Sequence, residues 1–182
     1  MTDLLGEDLP ARKDGFSASL SHDEWLTPPE ILRALGEFDL DPCSPIYPPW
    51  KTAAKTFCVL DNGLAQPWFG RVWCNPPYGT QAAAWLARAA AHGNAIALIF
   101  ARTETDMFFE HVWGGAHAVL FLRGRLRFHH SDGRRAEASA GAPSCLVAYG
   151  AGNVVALERS GIPGHLVCLP GKGGLTSTEP VK

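Results

Sequence analysis

Asn75-Pro76-Pro77-Tyr78 stands directly behind the apolar run Val72-Trp73-Cys74. Residue types in this order suit the methylation of a planar amino nitrogen. The lone pair of such a nitrogen is delocalised into its ring, so it attacks a methyl donor only when fixed acceptors take its N–H groups and localise the pair. The Asn75 side-chain oxygen and the Pro76 carbonyl can each take one N–H and stabilise the positive charge that develops on the nitrogen. Tyr78 offers a ring face for a base to stack on. Pro76 and Pro77 each fix φ at about −65° and push the residue before them towards an extended backbone, so the acceptors are set before a substrate arrives. Two plainer readings stand beside this one. Asn-Pro and Pro-Pro are ordinary turn punctuation after a strand. With Tyr47-Pro48-Pro49-Trp50 the prolines also suit a polyproline ligand, although such ligands sit in exposed polar linkers rather than behind an apolar run.

The chain that must position this loop has 182 residues, of which 46% are hydrophobic. That is enough for one soluble domain with a sizeable core, and the net charge of −2 gives no global mark of polyanion binding. Local charge differs. Arg123, Arg125, Arg127, Arg134 and Arg135 lie together with His129 and His130, and only Asp132 opposes them. Arg123, Arg125 and Arg127 alternate as if on one face of a strand, with Leu122, Leu126 and Phe128 available as anchors; a merely solvated hairpin would carry the same charges. Arg102, Lys51 and Lys55 are further candidate phosphate contacts. The 5 cysteines have no C-x-x-C spacing and the 7 histidines no H-E-x-x-H, which argues against a disulfide framework or a zinc site. No run approaches membrane-spanning length and the N-terminus lacks a signal pattern, so a cytoplasmic protein is expected.

Residues 1–20 and 171–182 read as flexible tails around a single domain over 21–170. Thr27-Pro28-Pro29-Glu30 has the form of a capping box, with Leu26 and Ile31 as its staple and Gly36 as the helix stop. A short strand over 38–41 enters a proline-rich loop that runs to Trp50. Then come the strand 72–74, a helix from Gln81 to His92 capped by Thr80, and a near-continuous apolar strand over 95–100. A helix near 106–112, a strand near 117–122, the arginine-rich hairpin and a strand over 144–149 follow. A helix capped by Asn153 and a strand over 165–169 close the domain. Alternating strands and helices predict an α/β fold with a mixed, mostly parallel sheet. Ligands in such sheets sit beyond the carboxyl ends of the strands, where Asn75 stands. Asp41 closes the first strand and Asp61 sits in Leu60-Asp61-Asn62-Gly63; a carboxylate at that edge can accept from a cofactor's amino, hydroxyl or ammonium groups, and each also suits a plain turn.

Taken in order, several stretches resemble the phage-type DNA N-6-adenine methyltransferases, the phage Dam family. They are Asp23-Glu24-Trp25-Leu26-Thr27-Pro28-Pro29-Glu30, Leu40-Asp41-Pro42-Cys43-Ser44, Asp61-Asn62-Gly63-Leu64 and Arg71-Val72-Trp73-Cys74-Asn75-Pro76-Pro77-Tyr78-Gly79. Downstream, Ala101-Arg102-Thr103-Glu104-Thr105-Asp106-Met107-Phe108-Phe109, Gly124-Arg125-Leu126-Arg127-Phe128 and Ala142-Pro143-Ser144 match as well. The resemblance implies a reduced Rossmann-like fold that uses S-adenosylmethionine and acts on double-stranded DNA, with no metal. It implies a catalytic loop at Asn75, Pro76, Pro77 and Tyr78. It also implies cofactor contacts at Trp25, Thr27, Pro28, Asp41, Cys43, Ser44 and Asp61. Two departures stand out: the usual glycine-rich turn after Asp41 is replaced by Pro42 and Pro45, and a full strand-helix unit between Asp41 and Asp61 is missing. The implied reaction is direct transfer to an adenine swung out of the duplex, at a cost of a few kcal/mol. The tetrapeptide alone also suits a protein glutamine amide or an RNA or guanine amine, and a non-enzymatic phage DNA-binding protein stays open.

Overall fold

The computed structural model describes residues 25–79 and 81–170; both expected tails, and Thr80 as a helix cap, lie outside the described residues. The first helix, α1 (Pro29–Leu35), buries Ile31, Leu32 and Leu35 and ends at Gly36, whose φ of 83° only glycine adopts without strain. The capping box does not form. Pro28 takes the N-cap place and no side chain caps the helix, while the Thr27 hydroxyl is buried without a partner. The physical reason is that Pro29 brings no N–H to the first turn and the Ile31 N–H is already taken by the Pro28 carbonyl.

The strands are β1 (Leu40–Asp41), β2 (Lys55–Thr56), β3 (Val72–Cys74), β4 (Ala95–Phe100), β5 (Ala118–Leu122), β6 (Ser144–Tyr149) and β7 (Gly164–Cys168). They form one sheet in the order β2-β1-β3-β4-β6-β5-β7. β1, β2, β3 and β4 pair in parallel, whereas β6 is antiparallel to β4 and β5, and β7 is antiparallel to β5. The first five strands of the chain therefore share one direction and the last two oppose it. Alternate residues of β4 face opposite layers: Ala95, Ala97 and Ile99 meet Trp85 and Leu86 of α2 (Ala82–His92), and Ile96 and Leu98 meet α1 and Leu157 of α4 (Ala151–Arg159). Between β4 and β5, α3 (Asp106–Phe108) runs on as a π-helical turn over Phe109–Trp113 and packs Phe108 and Val112 on the α2 side.

Three local expectations change. β2 is present and pairs with β1, but no helix joins β2 to β3, so only the helical half of the missing unit is absent. Asn153 is not a cap: α4 begins two residues earlier, and the Asn153 amide donates to the Tyr149 carbonyl at 2.8 Å and to Asn94 Oδ1 at 2.9 Å while accepting from Arg71 Nε at 2.7 Å. It ties β3, β4 and α4 together. The arginine-rich hairpin is an irregular loop with isolated bridges, His129 to Arg135 and His129 to Leu26, rather than a regular ladder. No helix of the described residues is long and apolar enough to cross a membrane.

Candidate active site

β1 and β3 end side by side at the same edge of the sheet, and a cleft of about 370 Å³ opens there. Asn75, first residue after β3, stands in its wall with Pro76, Pro77 and Tyr78. The Asn75 amide nitrogen donates to the Trp25 carbonyl at 2.7 Å. Its Oδ1 is buried and has no partner among the described residues. A buried, unpaired carbonyl oxygen costs about 1–3 kcal/mol, so one held in place by its own amide is a vacant acceptor aimed at something the described residues do not supply.

Tyr78 is half-buried, with its ring stacked on Phe100 at 4.1 Å and 14° and lying nearly perpendicular to the Phe128 ring at 6.0 Å. One face of the ring is therefore already covered, which leaves at most the other for a base. Burial pushes its phenol well above the ordinary value, and its hydroxyl has no partner. Trp25 and Trp50 line the same end of the cleft and contact His130 and His129 at ring distances of 5.1 and 5.2 Å.

At the other strand end, Asp41 is 3% exposed, and its carboxylate accepts from the Cys43 N–H at 3.1 Å and from the Thr52 hydroxyl. Burial raises its pKa to about 6 in spite of these donors. Cys43 and Ser44 follow it along the cleft wall. The Cys43 sulfur lies 3.7 Å from that of Cys74, and burial, with Cys74 beside it, holds its thiol well above the usual range. Thr27 completes this wall with its unpartnered hydroxyl, whereas Pro28, buried at the N-cap of α1, does not line the cleft. Trp85, stacked on Trp68 at 6.3 Å, closes one side.

Asp61 is not brought into this group. It is exposed, and its Oδ2 accepts from the Cys58 N–H at 2.8 Å as a turn residue does. Its neighbours Asn62, Gly63 and Leu64 do reach the cleft. Gly63 makes that possible, because a Cβ there would meet the Pro42 carbonyl oxygen at 1.8 Å. Arg123, Arg125 and Arg127 are exposed, while Leu126 is half-buried and Phe128 buried, so the expected alternation of outward and anchoring side chains holds without a regular strand. Arg102 is exposed two residues beyond Phe100, the partner of Tyr78, and Lys51 is exposed next to Trp50; Lys55 lies on the edge strand with its ammonium 5.4 Å from the Phe57 ring. Sequence reasoning missed Trp50, Thr52 and Trp85. The tryptophans read as ordinary apolar residues, and nothing in a lone threonine signals that it will hold a buried carboxylate.

Two acceptor-bearing strand ends, one vacant amide oxygen and a cleft of cofactor size agree with a group-transfer site in a Rossmann-like methyltransferase fold. The family model for DNA N-6-adenine-methyltransferase (Dam) matches residues 17–152. No curated protein and no solved structure matches the chain. With the match spanning β1 to β6 and the whole cleft, the chain belongs to the DNA N-6-adenine-methyltransferase (Dam) family.

Proposed function

We propose that the protein is an S-adenosylmethionine-dependent enzyme, of phage or prophage origin and acting in the host cytoplasm, that methylates N6 of an adenine flipped out of double-stranded DNA. The observation that carries this reading is the vacant Asn75 Oδ1, buried, oriented by the Trp25 carbonyl and set at the mouth of a strand end. Asn75 Oδ1 and the Pro76 carbonyl take the two N–H groups of the amine and so localise its lone pair. The face of Tyr78 that Phe100 does not cover takes the base, and Trp25 and Trp50 wall the same end of the cleft. No strong base is needed, since the methylated nitrogen carries an acidic proton that leaves to water.

The cleft fits the cofactor by its donor set: a buried carboxylate at Asp41, an unpartnered hydroxyl at Thr27 and apolar walls, within a volume in the range of small-molecule sites. S-adenosylmethionine supplies the electrophilic sulfonium methyl. Asp41 and Thr27, with Trp25, Cys43 and Ser44 along the wall, are the residues we assign to holding it, with Pro28 supporting Thr27. Asp61 contacts its adenine end from the rim through the oxygen that Cys58 does not use. Arg123, Arg125, Arg127, Arg102, Lys51 and Lys55 meet phosphates.

The test is transfer of tritiated methyl from S-adenosylmethionine to duplex DNA, with digestion to identify N6-methyladenine. Wild type should label adenine, and Asn75→Ala should lose about 10²–10³ in rate while keeping its cofactor affinity. Wild-type turnover in Asn75→Ala removes the catalytic assignment. A wild-type enzyme that binds no S-adenosylmethionine in a thermal-shift titration sinks the whole reading.

A further inference from the structure

The Asn75 amide faces two ways, and the direction matters. Its Nδ2 meets the Trp25 carbonyl at 2.7 Å and its Oδ1 is left buried and unpaired. A main-chain carbonyl is an acceptor only, so the amide has one permissible orientation: the reverse would set oxygen against oxygen and turn the NH₂ towards the incoming amine. The Trp25 carbonyl cannot turn aside. The next residue, Leu26, is locked to His129 by a reciprocal pair of hydrogen bonds, Leu26 N–H to the His129 carbonyl at 2.9 Å and His129 N–H to the Leu26 carbonyl at 3.0 Å. Beyond Leu26 the buried Thr27 and Pro28 lead straight into α1. On the other side, Phe128 of the same loop packs against the Trp25 ring at 6.5 Å.

We propose that the main-chain carbonyl of Trp25 is a positioning group of the reaction, one that sets the Asn75 oxygen towards the amine and obliges position 75 to carry a donor as well as an acceptor. The proposal rests on the function proposed above and adds a requirement to it. Asn75→Asp is then not conservative. An ionised aspartate has acceptors only and presents one of them to the Trp25 oxygen, which raises the cost of its charge and twists the carboxylate away. A protonated aspartate restores both partners, its hydroxyl donating to the Trp25 carbonyl and its other oxygen accepting from the amine. Activity of the variant should therefore return as pH falls.

The titratable groups around position 75 are Asp41 and Cys43 at the end of β1, Cys74 on its own strand, Tyr78 in its loop, Cys145 on β6, and His129 and His130 from the loop that packs on Trp25 and Trp50. Segment 25–28 has no titratable side chain. All of these are shared with wild type, so the ratio of variant to wild-type rate cancels them.

The experiment measures single-turnover methyl transfer to duplex DNA at saturating S-adenosylmethionine between pH 5.5 and 8.5, for wild type, Asn75→Asp and Asn75→Ala. The Asn75→Asp to wild-type ratio should be at least about tenfold higher at the acid end, because above a carboxyl pKa the protonated, active fraction grows about tenfold for each pH unit of acidification. The Asn75→Ala ratio should stay flat. Melting temperatures give a second readout that needs no activity: the deficit of Asn75→Asp relative to wild type should widen as pH rises, and that of Asn75→Ala should not. A third uses wild type alone. The Asn75 side-chain amide signal, identified in a nitrogen spectrum by its loss in Asn75→Ala, should show one proton protected from solvent exchange. A flat Asn75→Asp ratio, equal pH slopes for the two variants, or a freely exchanging Asn75 amide overturns the proposal. If wild type transfers no methyl to DNA, the function proposed above fails, while the melting and exchange measurements still decide whether Trp25 orients residue 75.

Discussion

Asp41 is the residue whose cost to the fold can be worked out and set against its use. Its pKa rises from 3.8 to about 6, with burial as the dominant cause and the hydrogen bonds from Thr52 and Cys43 opposing it only in part. Below pH 3.8 both folded and unfolded chains hold the proton and the charge costs nothing. Between 3.8 and about 6 the unfolded chain releases it first, so stability falls as pH rises; above about 6 the deficit is complete. A rise of this size corresponds to about 3 kcal/mol, undiscounted because the side chain is 3% exposed. Asp41→Asn removes that deficit without losing the contacts, since its oxygen still accepts from Cys43 N–H and its NH₂ can donate to the Thr52 hydroxyl. The variant should be more stable than wild type at pH 8, by up to about 3 kcal/mol or roughly 6–12 °C in melting temperature for a chain of this size, and the gain should shrink to well under about 1 kcal/mol by pH 4. Calorimetric titration of the same variant should show weaker S-adenosylmethionine binding. Thermal melts across pH check the first half. A variant less stable than wild type at pH 8, or a difference that does not change with pH, would refute the burial argument. A more stable variant with unchanged cofactor affinity would leave Asp41 without a role in the site.

Tyr78→Phe removes a buried, unpartnered hydroxyl while keeping the stack on Phe100, so it should match or exceed wild-type stability and keep DNA affinity; Tyr78→Ala should weaken DNA capture by about 1–3 kcal/mol, and a loss from Phe as large as from Ala in a binding titration would rule out stacking as its role. Asp61→Ala should raise the dissociation constant for S-adenosylmethionine more than it lowers the maximal rate; unchanged affinity by calorimetry, with the fold intact, would leave Asp61 as the cap of the Cys58 turn and nothing more. The Arg125/Arg127 double alanine variant should weaken DNA binding regardless of sequence and flatten the slope of log affinity against log salt by about two, one per phosphate contact, with cofactor binding unchanged. Full affinity at low salt would shift the contact to Arg102 and the Lys51 and Lys55 loop.

What the sequence made legible depended on how local the cause was. Continuous apolar runs such as Ala95–Phe100 and Ser144–Tyr149 become strands with the expected bounds, because a strand buried on both faces needs only apolar side chains in a row. Gly36 and Gly93 stop their helices for a reason held within one residue. Most failures lie where a partner distant in sequence wins, and the Thr27 cap is the local exception. Thr27 looks like a cap until the prolines beside it leave little to cap. Asn153 looks like a cap until Arg71, Asn94 and the Tyr149 carbonyl claim its amide inside the helix. Residues Lys55–Thr56 show no strand pattern, and they become one because the end of β1 offers its edge.

The same logic explains how a cleft forms although the helix that would join β2 to β3 is absent. Without it, the chain from β1 to β3 must cover the strand ends with loops, and loops leave polar backbone to satisfy. The Ser44 N–H is taken by the Phe57 carbonyl and the Phe57 N–H by the Asp41 carbonyl, so the two loops bond each other across the end of β1. Gly63 lets the second loop approach the Pro42 carbonyl at a distance no side chain would permit, and the Trp68 indole fixes that turn by donating to the Gly63 carbonyl at 2.9 Å. The prolines that replace a glycine-rich turn after Asp41 therefore fit a wall built by loop-on-loop packing, in which rigidity comes from fixed φ angles and not from a covering helix. Asp41 sits at the base of this wall with its two bonds drawn from Cys43 and Thr52 of the first loop, so the loop that frames the cleft is also what keeps its one buried carboxylate in place.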